Sequence, residues 1–202
     1  MSEPGTRLGG LTLCAIGVVM TGIPLVIGFG GPVTAISSLT SQTIGAPGGP
    51  GFAAGVGELV TQLYAVVGRP ALVVFGVAFA LTGGAKLRGN TLSARFSALV
   101  PVLAAGIVAL SFGPAGLLSL TTRAIPPTVQ SAVATVVVGS VVIPLVLASL
   151  QEDTLVLIVA STLLLAAGAV APSSPVSLIV GTACGAGVVV TLWNLDTNTW
   201  QP

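Results

Sequence analysis

Residues 128–150 read TVQSAVATVVVGSVVIPLVLASL, with no charged side chain and apolar residues on every face of a helix. At ~1.5 Å rise per residue this stretch makes a helix about 34 Å long, enough to cross a hydrocarbon core of about 30 Å. A strand of an outer-membrane barrel would be about 10 residues long and would alternate strictly between lipid-facing and lumen-facing side chains. The run is roughly twice that length and does not alternate. It reads as a transmembrane helix.

The same pattern recurs on both sides of it. Residues 8–29, 66–85, 96–118, 154–171 and 176–193 form five further apolar runs, separated by short polar or Pro/Gly-rich segments. The first is too long for the core of a signal peptide and no small-x-small cleavage site follows it, so it is expected to remain as a span. The expected fold class is all-α: a polytopic helical bundle of six transmembrane helices in one domain, residues 1–202.

Composition agrees with that reading and closes off other classes. Hydrophobic residues make up 53% of the 202-residue chain and charged residues 5%, against about 25% charged in a soluble domain. A water-soluble globule is excluded. There is no histidine, which removes the commonest metal ligand and general base. Cys14 and Cys184 are too few for a four-cysteine zinc or iron–sulfur site, and a disulfide between them requires the first and last helices to touch. A net charge of +1 without a basic cluster excludes nucleic acid as a partner. No catalytic, cofactor-binding or metal site is expected, because the few charges are scattered along the chain.

Basic residues set the orientation, since cytoplasmic loops carry the excess of Lys and Arg. With the N-terminus inside, Arg7, Lys86, Arg88 and Arg95 are cytoplasmic and Arg69 and Arg123 are outside; the inverted molecule reverses this bias. Both termini are therefore expected in the cytoplasm. Lys86, Arg88 and Arg95 are expected to anchor the 86–95 loop at anionic headgroups.

Residues 51–67 leave two placements open. Glu58 and Gln62, spaced i, i+4, share one helical face and favour a helix lying in the membrane interface. The alternative is a seventh span turning at Gly68-Arg69-Pro70. Glu58 and Gln62 are the candidate polar site, because a carboxylate at membrane depth marks an ion or proton site by default. The acids Glu152 and Asp153 read as a solvated turn, with Asp153 capping the helix that starts at Thr154.

Two further patterns bear on function. Ser177, Gly181 and Gly185, at i, i+4, i+8, form a candidate helix-packing face, within the bundle or against a second protein. Phe29 with Phe112, and Leu72-Val73 with Leu155-Val156, recur at a spacing of 83 residues, the pattern of an internal repeat of the kind found in transporters. Pro24, Pro101 and Pro144 lie inside predicted spans and are candidate kinks. Gly9-Gly10 and Gly83-Gly84 lack the strand–loop–helix context of a phosphate cradle.

These residues point to a non-enzymatic integral membrane protein of the cell membrane, a helix-packing subunit or accessory component of a membrane assembly. The lipid bilayer and a membrane-protein partner or a second copy are the expected partners. The alternative is a small secondary transporter or channel built on the repeat. One Lys against five Arg, with abundant Ala, Val and Gly, points to a GC-rich prokaryotic genome.

Overall fold

The computed structural model describes residues 4–28, 63–90, 92–114, 118, 127–170 and 175–195. Among these the regular structure is entirely helical. In chain order the helices are α1 (Pro4–Gly28), α2 (Arg69–Leu87), the short α3 (Ala94–Ser97), α4 (Leu99–Leu110), α5 (Pro127–Leu150), α6 (Thr154–Val170) and α7 (Pro175–Leu195). Four helices, α1, α2, α5 and α7, are long and apolar enough to cross a membrane. The apolar helices 94–110 and 154–169 are shorter.

Prolines and glycines account for most departures from the expected boundaries. Pro70 has no N–H to offer the carbonyl four residues back. The backbone meets this with a π-helical turn over Tyr64–Gly68, in which the Arg69 N–H reaches the carbonyl of Tyr64. The chain therefore runs as continuous helix through Gly68-Arg69-Pro70, where a turn into a separate 51–67 span was the alternative. Pro101 likewise has no donor for the carbonyl of Ser97, and the helix is interrupted at Ala98, between α3 and α4. By contrast, Pro24 and Pro144 lie inside the unbroken α1 and α5.

The third run, expected to reach Leu118, is broken after Leu110: Ser111 and Phe112 form a turn, and Gly113, Pro114 and Leu118 are again helical. Gly113 adopts a left-handed φ of 65°, a conformation that glycine takes without steric cost, and Pro114 follows it. At the end of α2, Gly89 (φ 73°) forms a Schellman cap: the N–H of Asn90 reaches the carbonyl of Ala85, and that of Gly89 reaches Lys86. The α5–α6 turn copies this geometry with Glu152 (φ 54°) in the left-handed position and the Asp153 N–H on the carbonyl of Ala148.

The core lies between α2, α4 and α5. It is built from β-branched and small residues, including Val73, Val74 and Val77 of α2, Val100 and Val108 of α4, and Val136 and Ile143 of α5. The outer faces are also apolar: Leu8 is 71% exposed, Leu155 68% and Ile179 67%. Large exposed apolar side chains on α1, α4, α6 and α7 suit hydrocarbon as the surrounding medium.

Contacts between helices fix their directions. Gly10 faces Gly83 and Gly17 faces Gly76, so α1 and α2 are antiparallel. The α2–α3 corner meets the α5–α6 turn, and Gly28 at the end of α1 approaches Ser111 after α4. Gly181 and Gly185 face Thr135 and Gly139 in the same order, so α5 and α7 are parallel. The first turn of α1, the 86–95 corner, the 151–153 turn and the last turn of α7 therefore lie at one end of the bundle. Arg69 lies at the other.

Candidate functional site

Ser177, Gly181 and Gly185 form one buried strip of α7, and that strip rests on α5 of the same chain. A Cβ on Gly181 would stand 2.6 Å from the carbonyl oxygen of Thr135 and 3.0 Å from the Cβ of Val138. A Cβ on Gly185 would collide with the carbonyl oxygen of Gly139 and the side chain of Val142. Gly139 in turn lies against the Gly181 carbonyl, at 2.8 Å from its own Cβ position. Small residues here allow two backbones to approach closely, which is how helices gain dispersion contact where lipid supplies no hydrophobic driving force.

A second seam of the same kind joins α1 to α2. A Cβ on Gly83 would lie 2.5 Å from the Cys14 nitrogen and 2.6 Å from the Gly10 carbonyl oxygen. One on Gly76 would lie 2.7 Å from the Thr21 methyl and 2.9 Å from the Gly17 carbonyl oxygen. Gly10 and Gly17 are seven residues apart, as are Gly76 and Gly83. That matched spacing is the signal in the sequence that marks the seam, and dipeptide glycines conceal it: Gly9 and Gly84 face open space. Cys14 lies on this seam, and both it and Cys184 are free thiols.

The charged groups divide between the two ends. At the 86–95 end, the Arg95 Nε donates to Asp153 Oδ2 at 3.0 Å. The Ala94 N–H donates to Gln151 Oε1 at 2.8 Å, and Gln151 Nε2 donates to the Leu92 carbonyl at 3.4 Å. Asp153 Oδ1 also accepts from the Val156 N–H at 3.4 Å, capping α6. The hydrogen bond from Arg95 holds the Asp153 carboxyl below the usual carboxylate range, with the Val156 N–H acting in the same direction. Lys86 and Arg88 precede Arg95 by nine and seven residues, with Arg88 exposed.

At the opposite end the Arg69 guanidinium lies over the ring of Phe112, 4.2 Å from its centroid, and 5.6 Å from that of Tyr64. Its Nε and Nη1 and the Tyr64 hydroxyl are buried, and by strict geometry none has a hydrogen-bond partner among the described residues, although Arg69 and Tyr64 interact electrostatically. Aromatic faces offset part of the cost of a desolvated cation. Glu58 and Gln62, the candidate polar site, lie outside the described residues.

Five of the six buried hydroxyls among the described residues turn back on their own helices. Thr82 donates to the carbonyl of Ala78, Ser97 to Ala94, Ser111 to Val108, Thr135 to Ser131 and Ser140 to Val136, at 2.6–2.8 Å. Among the described residues no group of three His, Cys, Asp or Glu side chains could hold a metal ion. The 83-residue repeat has no counterpart in helix direction. The first pair it relates, α1 and the α3–α4 segment, runs the same way; the second, α2 and α6, runs in opposite directions. One rotation cannot do both. No protein-family model, curated protein or solved structure matches the chain.

Proposed function

We propose that the protein is a non-enzymatic integral membrane subunit, a helix-packing component of a larger membrane assembly, with both termini on the cytoplasmic side. The observation that carries this reading is the back-bonding of Thr82, Ser97, Ser111, Thr135 and Ser140 onto their own helices. A substrate path needs polar groups facing it, and these hydroxyls spend their donors locally. The bundle's seams are filled by glycine and its outer faces by exposed Leu, Ile and Val, surfaces suited to lipid and to other apolar helices. Arg7, Lys86, Arg88 and Arg95 at one end against Arg69 at the other supports that end as cytoplasmic.

The test is purification of the full chain from its own membrane in mild detergent, followed by mass spectrometry and mass measurement of the complex. A second membrane protein in fixed stoichiometry is the expected result. A homogeneous monomer or homo-oligomer would overturn the subunit reading.

A second reading, a small transporter or channel, draws on Arg69, whose buried Nε and Nη1 have no hydrogen-bond partner among the described residues. A cation buried at the end of a membrane bundle is a candidate entry site for an anion. It requires flux in liposomes that Arg69→Gln or Glu58→Gln abolishes; flux indifferent to both substitutions removes it.

A further inference from the structure

Two apolar grooves flank the corner that joins α2 to α4, each with an arginine at its mouth. One, of ≈ 310 Å³, is lined by Ala80, Leu81, Gly84, Leu87, Arg88 and Phe96. The other, of ≈ 250 Å³, is lined by Arg95, Ala98, Leu155, Val156 and Val159. They differ in charge. Arg95 is ion-paired with Asp153 at 3.0 Å, so its groove opens beneath a neutralised pair. Arg88 is exposed and makes no ion pair among the described residues.

We propose that the Arg88 groove is a binding site for an anionic phospholipid, with the phosphate on the Arg88 guanidinium and the upper part of an acyl chain against Leu81, Leu87 and Phe96. Three features fit this occupant. The Ala80–Leu87 wall extends two helical turns below Arg88, about 11 Å, which exceeds the headgroup layer of about 5–8 Å per face and so reaches the acyl chains. Gly84 forms an open floor, since a Cβ there would find nothing within 4 Å. Phe96, 37% exposed, closes the side with an apolar face. A guanidinium forms charge-assisted, bidentate hydrogen bonds with phosphate oxygens, and a zwitterionic headgroup carries its own compensating cation. The site requires only that the bundle lies in a bilayer; it is independent of the subunit and transporter readings.

Native mass spectrometry of the full chain in mild detergent, with equimolar phosphatidylglycerol and phosphatidylcholine, tests it. The expected result is preferential retention of phosphatidylglycerol. Arg88→Gln lowers the ratio of the two bound lipids about five-fold, the contribution of one basic side chain at an anionic surface, while Arg95→Gln leaves it unchanged. Gly84→Ile places its Cβ in open space and its remaining atoms in the groove, and so reduces phosphatidylglycerol retention, with the thermal unfolding midpoint preserved. Equal retention of the two lipids, a ratio indifferent to Arg88→Gln, or a ratio that falls with Arg95→Gln instead would overturn the proposal.

Discussion

Along the α1–α2 seam Gly10 and Gly17 meet Gly83 and Gly76 across antiparallel helices, whereas along the α5–α7 seam Gly181 and Gly185 meet Thr135 and Gly139 across parallel ones. Both seams bring backbone against backbone, but the helices they attach differ. The partner of α7 is α5, which contributes Val136, Ile143, Leu147 and Ala148 to the core. The partner of α1 is α2, and α1 itself leaves Leu8, Leu11, Val18, Val19 and Val26 more than half exposed. Exposed apolar side chains give no drive to associate when the solvent is hydrocarbon. The close fit of its small residues, together with Leu13 and Met20 packed against the core, holds α1 in place, and the glycines of that seam are its specificity.

The largest expected effect is at that fit. Gly17→Val forces a side chain into the Gly76 carbonyl and the Ala80 backbone, at the upper end of the roughly 1–3 kcal/mol cost of overpacking. The thermal unfolding midpoint in detergent falls, and Cys14, on the same seam, reacts faster with a maleimide while Cys184 does not. An unchanged midpoint and unchanged Cys14 labelling would show that α1 is held by something other than its glycines.

Gly181→Ile is the matching change on the other seam, with a cost within the same ~1–3 kcal/mol range. Here Cys184 labelling rises and Cys14 labelling does not. If both variants loosened both cysteines, the two seams would be one cooperative unit and the contrast between them would fail.

A smaller effect of opposite sign is expected at the turn between α5 and α6. Glu152 takes the left-handed position that Gly89 fills at the end of α2. Glu152→Gly removes the side-chain penalty of that conformation and raises the midpoint, by less than about 1 kcal/mol. Gly89→Ala lowers it, and the opposite signs are the check.

The smallest effect concerns the Arg95–Asp153 pair, which joins the α2–α4 corner to the α5–α6 turn. Asp153 has a depressed pKa in the folded chain, so its contribution is complete above the ordinary carboxylate pKa and is lost as pH falls through the depressed value. At neutral pH Arg95→Gln lowers the midpoint slightly, less so in high salt. The difference from the unaltered protein disappears in acid; a difference that persisted there would assign the effect to packing of the arginine stem.

Much of this was legible in the chain itself. The runs at 128–150, 154–171 and 176–193 coincide with α5, α6 and α7 within one or two residues, because uninterrupted apolar sequence bounded by Pro or polar turns leaves the backbone only its own helix in which to satisfy its hydrogen bonds. The strip Ser177, Gly181, Gly185 was legible as a packing face, but whether it met the same chain or another was not. Its partner, Gly139, lies in a different span, and periodicity within one helix carries no information about which neighbour it meets. The α1–α2 seam was harder to see for the same reason. Gly10, Gly17, Gly76 and Gly83 have matching spacing, yet an isolated seven-residue interval is common in a chain with 27 glycines.

The sequence by itself determined that the chain is helical, that its surface is apolar enough to suit hydrocarbon, and that its basic residues are unequally distributed. These follow from local chemistry: apolar length, the scarcity of charge, and the position of Lys and Arg. Only the tertiary structure decided that residues 63–87 form one helix through Pro70, that the third run is broken after Leu110, and that Arg95 is neutralised while Arg88 opens onto a groove. Each of these depends on which atoms meet across helices or on how a proline's missing donor is absorbed. Those are properties of packed backbones, set by close contacts between residues far apart in sequence.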